Sequence, residues 1–248
     1  MADWKDTSRE AQRLGSVPRA GGDVAGRVGY DEGLRKHMLS IYNYMSSGVL
    51  LTGIVALLAF TSGVAETIFT GGILRWIVAL SPIAFVFAMS FGANRFSTGT
   101  LQLMFWAFAT LMGLSLSSVF LIYTGGSIAT TFFATSAAFA GLSLFGYTTK
   151  KDLSGFGSFL IMGVIGLIVA MVINLFLQSP AFYYAISFIG VLIFAGLTAY
   201  DTQSLKNEYG YVRGTEFAGK AVILGALNLY LDFINMFRFL LSFLGSRE

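Results

Sequence analysis

The sequence predicts an all-α polytopic membrane protein with about seven transmembrane helices, six of them surrounding a central C-terminal helix. Three observations carry this. The 248 residues are 55% hydrophobic and only 12% charged, with a mean hydropathy of +0.71, where a soluble domain holds about 25% charged residues. Seven apolar runs of about twenty residues follow residue 36, each long enough to cross ~30 Å of hydrocarbon. The last run carries an aspartate near its middle, which an α-helix tolerates only where it faces protein or water.

The first segment, residues 1–36, differs from the rest. It holds seven of the sixteen Lys and Arg (Lys5, Arg9, Arg13, Arg19, Arg27, Arg35 and Lys36) and no apolar run. Such a stretch buries too little surface to offset its ordering entropy, so it is expected to be a disordered basic cytoplasmic tail, with a short amphipathic piece near Tyr30–His37 lying on the lipid surface. Residues 37–248 are then the seven-helix transmembrane domain. Its spans are read as Met38–Thr61, Ile73–Ala93 with Pro82 inside it, Leu101–Tyr123, Ile128–Thr148, Gly157–Leu177, Ala181–Tyr200 and Ala221–Leu244. Gly125–Gly126 and Gln178–Ser179–Pro180 make short connections. Backbone polar groups in lipid must be satisfied within the segment, which makes these runs helices. The alternating segments of about ten residues that a membrane β-barrel needs are absent. Pairs such as Gly163 and Gly166 suit close approach of helices. Trp76, Trp106, Tyr183 and Tyr184 are candidate interfacial anchors.

Orientation follows from the cations. With the tail inside, thirteen Lys and Arg lie on the inner side, Arg75 and Arg247 lie outside, and Arg238 falls within the last span. This asymmetry places the N-terminus in the cytoplasm. It also reads the net charge of +3 as a topology signal and not as a nucleic-acid footprint. The absence of Cys and the single His, His37, exclude thiolate chemistry, disulfides and histidine-cluster metal sites.

Of thirteen acids, only Asp201 and Asp232 fall within or at the edge of a span. Asn228 precedes Asp232 by four residues and Asn235 follows it by three, so the three share a helix face. That polar stripe predicts a central seventh helix. Arg238, six residues beyond, sits about 120° round the helix and is a poor partner for Asp232. Asp201 closes the sixth span. Two carboxyls brought together cannot both ionise readily and share a proton. Protonated, such a pair is a closed, hydrogen-bonded latch. Deprotonated, it repels itself and offers oxygen ligands to a hard cation such as Ca²⁺.

Around these residues the chain closely resembles the Bax inhibitor-1, or transmembrane Bax inhibitor motif, family in its bacterial branch. The pieces that carry the resemblance are Tyr200-Asp201-Thr202-Gln203, Leu229-Tyr230-Leu231-Asp232-Phe233-Ile234-Asn235 and the loop Gly146-Tyr147-Thr148-Thr149-Lys150-Lys151-Asp152-Leu153-Ser154. It covers about residues 30–244. The resemblance implies a pH-sensitive calcium leak channel of the inner membrane, with Asp201 and Asp232 as the paired gate and pH sensor and as Ca²⁺ ligands. It further implies that Arg95, at the cytoplasmic end of the second span, pairs with Asp201; Asn228 and Asn235, read from their shared helix face with Asp232, are the other supporting residues. Two departures stand out. The stretch Tyr209–Gly214 reads as a longer loop than usual, and the second span has no acid to pair with a late basic residue of the seventh.

Lipid, Ca²⁺ and protons are the expected partners, with Ca²⁺ a transported ion and no resident cofactor. Enzymatic activity is not expected. Two membrane aspartates also suit an intramembrane protease, but Leu-Tyr-Leu-Asp232 lacks the Gly-x-Gly-Asp context of that class. A proton-coupled transporter would carry an inverted repeat or broken-helix pair, and none is visible. The alternative function is a non-conducting regulatory membrane protein that modulates other membrane machinery.

Overall fold

The computed structural model describes residues 20–247, with side chains from residue 31 onward. Helix α1 spans Ala20–Thr61 and a short α2 spans Val64–Thr70. They are followed by α3 (Leu74–Gly92), α4 (Thr98–Leu116) with a 3₁₀ turn at Ser117–Leu121, α5 (Gly125–Thr148), α6 (Ser154–Leu177), α7 (Pro180–Val212) and α8 (Ala218–Leu244). Among the described residues there is no strand, only an isolated bridge between Tyr123 and Arg247. Seven of these helices are long and apolar enough to cross a membrane.

Local sequence sets the boundaries. Ser97, Thr124 and Ser179 cap α4, α5 and α7 by accepting the N–H of Thr100, Ser127 and Phe182, and Pro180 fits the first turn of α7, where its missing N–H costs nothing. Gly214, at φ 75°, follows the end of α7 in a left-handed conformation that favours glycine.

Three expectations need correction. Residues 20–36 were expected within a disordered tail, but they belong to α1; residues 1–19 lie outside the described residues. Once a helix is nucleated, extending it costs far less than starting it, and the apolar half of α1 supplies the nucleus. The sixth span does not stop at Tyr200 but runs to Val212. Tyr209–Val212, expected as loop, is therefore helical, and Asp201 lies eleven residues inside the helix rather than at its end. This stretch has no proline, and polar residues extend a helix into water as readily as apolar ones extend it through lipid. The short helix α2 falls between the first two predicted spans and was not expected.

Helix α8 is the axis of the bundle. In its most apolar stretch 61% of the residues are buried, against 11–33% in the other six spans. It packs against α3, α4, α5 and α7, and α6 packs against α7. From α1, Gly48 and Ile41 come against Tyr230 and Gly225 of α8. Phe105 and Phe108 of α4 meet Tyr230 edge-on at 6.2 and 5.1 Å between ring centres, and Phe132 and Phe139 of α5 meet Phe233 at 5.6 Å. The outer faces of α3, α6 and α7 expose Phe91, Phe159, Phe176, Leu175 and Phe188, as lipid-facing surfaces do. Gly163 lies beneath Ile193 of α7, whereas Gly166 faces open space.

The tightest approach is at Gly146 of α5. A Cβ there would collide with the backbone carbonyl of Ala199 in α7, whereas one on Gly141 of the same helix would meet open space. Gly146→Ala should therefore destabilise by about 1–3 kcal/mol, as overpacking does where backbone must yield. Gly141→Ala should be neutral or slightly stabilising. Thermal unfolding of both variants in the same detergent compares them.

Candidate functional site

The two aspartates come from the pair of helices that pack most extensively on one another. Asp201 sits in the second half of α7 and is half-buried, while Asp232 in the middle of α8 is only 4% exposed. Their carboxyls stand within hydrogen-bonding range of each other. Oδ2 of Asp232 is buried and takes no donor from any described residue. Two carboxyls bond to one another only through a proton, so one shared proton would satisfy both.

The neighbours of Asp201 are tied down by side chains that its helix supplies. Thr202 donates to the carbonyl of Thr198 (2.8 Å) and accepts from Ser143 of α5 (3.0 Å), which accepts from Tyr42 of α1 (3.2 Å). Gln203 reaches the loop between α5 and α6: its Oε1 accepts the N–H of Leu153 and its Nε2 donates to the carbonyl of Lys151, both at 2.8 Å. Lys206, one turn on, donates to the carbonyl of Tyr147 (2.7 Å) and lies over that residue's ring. In the loop, Asp152 accepts from Ser154, through the hydroxyl and then the backbone N–H, and its carboxyl is held below the usual carboxylate range. The loop's carboxylate thus stays ionised in mildly acidic solution.

On the other side of Asp232, Tyr230 is fully buried. Its hydroxyl lies 2.7 Å from that of Thr52 in α1, which in turn donates to the carbonyl of Ala109 in α4 at 2.8 Å. Tyr230 is therefore the donor to Thr52, and α1, α4 and α8 meet in one satisfied polar knot two residues from Asp232. Sequence reasoning took neither Tyr230 nor Thr52 as a polar contact, because a lone hydroxyl in an apolar run carries no signal of where it will point.

The remaining candidates separate. Asn235 is half-buried, while Asn228 and Arg238 are exposed. The predicted common face is thus a gradient, running from the buried Asp232 out to the least covered strip of α8. Lys220, at the start of α8, donates to the carbonyl of Ala93 just beyond α3 (3.1 Å), and Ser242, near its end, shares a hydrogen bond with Tyr183 of α7 (2.8 Å). Arg95 does not join the pair. It is exposed in the turn after α3, its backbone bonded to Gly92, and among the described residues neither carboxyl is in electrostatic contact with it. No group of three or more His, Asp or Glu able to hold a metal occurs among the described residues.

The family model described as "Inhibitor of apoptosis-promoting Bax1" matches residues 34–248. The chain belongs to the Bax inhibitor-1 family. It is 47% identical over 244 residues to an uncharacterised protein of Caulobacter vibrioides, covering 94% of this chain and 96% of that protein. It is 45% identical over 219 residues to the inner membrane protein YbhL of Escherichia coli strain K12, covering 87% and 94%. An uncharacterised protein of Rickettsia prowazekii shares 47% over 221 residues, covering 88% and 93%. The chain is accordingly an integral multi-pass membrane protein of this family, and its bilayer is its first partner.

Gln203 offers a test of how firmly the Asp201 helix grips the loop. Gln203→Met removes two hydrogen bonds and should cost about 1–3 kcal/mol. Hydrogen exchange at the Leu153 amide should accelerate, while the amides of α8 keep their protection.

Proposed function

We propose that this protein is a pH-sensitive cation leak channel, with Ca²⁺ as a transported ion and the Asp201–Asp232 pair as its gate. The observation that carries the reading is the facing of two carboxyls inside a bundle of membrane-length helices, one of them with a buried oxygen that takes no donor from any described residue. Keeping an ionisable group at that depth is expensive, and groups kept there line ion and proton routes. The exposed strip of α8 supports the same reading. Asn228, Asn235 and Arg238 would be costly against acyl chains and are cheap against water, so the strip is read as the wall of an aqueous crevice leading to the pair.

Two carboxylates offer at most four oxygens, whereas Ca²⁺ takes six to eight ligands. Water completes the shell, which suits an ion in transit better than a resident one. The pair is assigned no hydrolytic role and the protein no cofactor. The excess of Lys and Arg in the tail and in the loops that share its side orients the N-terminus to the cytoplasm, and the likeness to YbhL favours a bacterial inner membrane.

The sign of the pH effect follows from the shared proton. With it in place the carboxyls hold each other and the path is closed. When it leaves, like charges repel and oxygens become available to the cation, so flux rises with pH. In liposomes loaded with a calcium dye, flux should increase from pH 6 to pH 8, by no more than about tenfold per pH unit for one titrating proton. Asp201→Asn and Asp232→Asn remove that titration and should each flatten the profile. Asp152→Asn should leave it in place, because that carboxylate is ionised throughout the range. Absence of flux at every pH from correctly folded, oriented protein would overturn the channel and favour a non-conducting regulator of other membrane machinery.

A further inference from the structure

At the end of the bundle where α6 turns into α7, a second polar site lies apart from the aspartates. Here a cavity of about 250 Å³ is lined by Asn174, Gln178, the Ser179–Pro180 turn, Tyr183, Tyr184 and Arg247. Its lining is rich in donors and holds no carboxylate among the described residues. Asn174 Oδ1 accepts the N–H of Ser179 at 3.2 Å, which leaves the two N–H donors of that amide for something else. Gln178, at φ 50°, turns the chain sharply at the rim. Tyr184 is 45% exposed.

Arg247 is held in place by its neighbours. It forms the bridge with Tyr123, its guanidinium lies 5.9 Å from that ring's centre, and Ser246 beside it accepts from Thr124 (3.1 Å) and donates to Ser127 (2.9 Å). Tyr183 is fixed by Ser242 of α8. A second cation, Arg238, lies within electrostatic range of Tyr123 and Tyr183, with no carboxylate beside it among the described residues. Two guanidiniums and several neutral donors therefore surround one end of the bundle without an anion among the described residues. Immediately along α6 and α7 the surface turns apolar, with Leu175, Phe176, Leu177 and Phe188 exposed.

We propose that this cavity binds a phosphate oxyanion, namely the phosphodiester of an acidic membrane lipid. Arg247 is the charged contact, Asn174, Gln178 and Tyr184 are neutral donors, and the acyl chains lie along the exposed apolar face of α6. A guanidinium suits this role because its planar fork donates two parallel hydrogen bonds to a phosphate. Tyrosines at this depth place a ring in the interface and a hydroxyl at headgroup level. A free phosphate would satisfy the same donors but would leave the apolar flank unused.

The test uses the full chain in detergent, with phosphatidylglycerol, phosphatidylcholine or sodium phosphate added, and reads bound lipid by native mass spectrometry and the thermal unfolding midpoint. Phosphatidylglycerol should be retained and raise the midpoint, and phosphatidylcholine should do so more weakly. Arg247→Gln should weaken phosphatidylglycerol binding about tenfold, the equivalent of one charge-assisted hydrogen bond, and Arg247→Lys should recover part of it. Arg75→Gln, which removes a cation elsewhere, should change nothing. If Arg247→Gln folds poorly without lipid, Tyr184→Phe supplies the readout, with binding weakened by about threefold. Equal retention of the two lipids, or equal binding by wild type and both variants, overturns the site. Phosphate alone raising the midpoint with the same dependence on Arg247 overturns the lipid as its source and assigns the cavity to the free anion.

Discussion

A carboxyl group in the middle of a membrane-spanning helix is the constraint around which this bundle is organised. Hydrocarbon offers Asp232 no donor and no water, so the helix that carries it can be stable only where other helices cover it. That is the physical reason α8, and no other span, lies at the axis. Its burial is shared between apolar packing and a small number of satisfied polar contacts. The Phe105, Phe108 and Phe139 rings pack edge-on against its Tyr230 and Phe233, and the Tyr230–Thr52–Ala109 knot fixes its rotation against α1 and α4. Rotating α8 enough to move Asp232 out of place would strand the Tyr230 hydroxyl as well, so both penalties defend one orientation.

The second aspartate gains its place from the length of α7. Because that helix continues eleven residues past Asp201, the segment after the carboxyl is a rigid continuation and not a loose connection. Thr202, Gln203 and Lys206 lie on it, and each engages α5 or the loop after it. The three stretches that carry the family likeness are thus one physical assembly. The stretch 146–154, the end of α5 and the connection to α6, is bound to the helix of Asp201, and that helix is packed along the helix of Asp232. Gly146 makes this possible by letting α5 approach the backbone of α7 more closely than any side chain would allow.

The two ends of the polar system differ in charge. The aspartate pair concentrates carboxyl oxygens inside the bundle, while the α6–α7 end concentrates guanidiniums and phenols at its boundary. About one and a half turns of α8 separate Asp232 from Arg238, and their side chains leave the helix in different directions. The acid therefore faces α7, and the base points to the exposed strip. Opposite charges on one helix are thus kept from neutralising each other.

Much of the fold was legible in the sequence, because a bilayer imposes a length and an apolarity that composition reports directly. The predicted spans agree with the helices to within a few residues wherever lipid sets the boundary. They depart where water does: the polar extension of α7, the short α2 and the start of α1 have no hydropathy signal. For the site, scarcity was the signal. Two acids stood out against an apolar background, and the midspan position of Asp232 was enough to predict a buried, central α8. The sequence could not decide which groups would meet. Asn228 shares a helix face with Asp232 yet is exposed, Arg95 lies at the right end of its span yet stays in the water, and Tyr230, one more aromatic in an apolar run, became the central donor. Helical periodicity determines the direction of a side chain relative to its own axis. Only packing decides what stands opposite, because that depends on the separation and rotation of helices far apart in the chain.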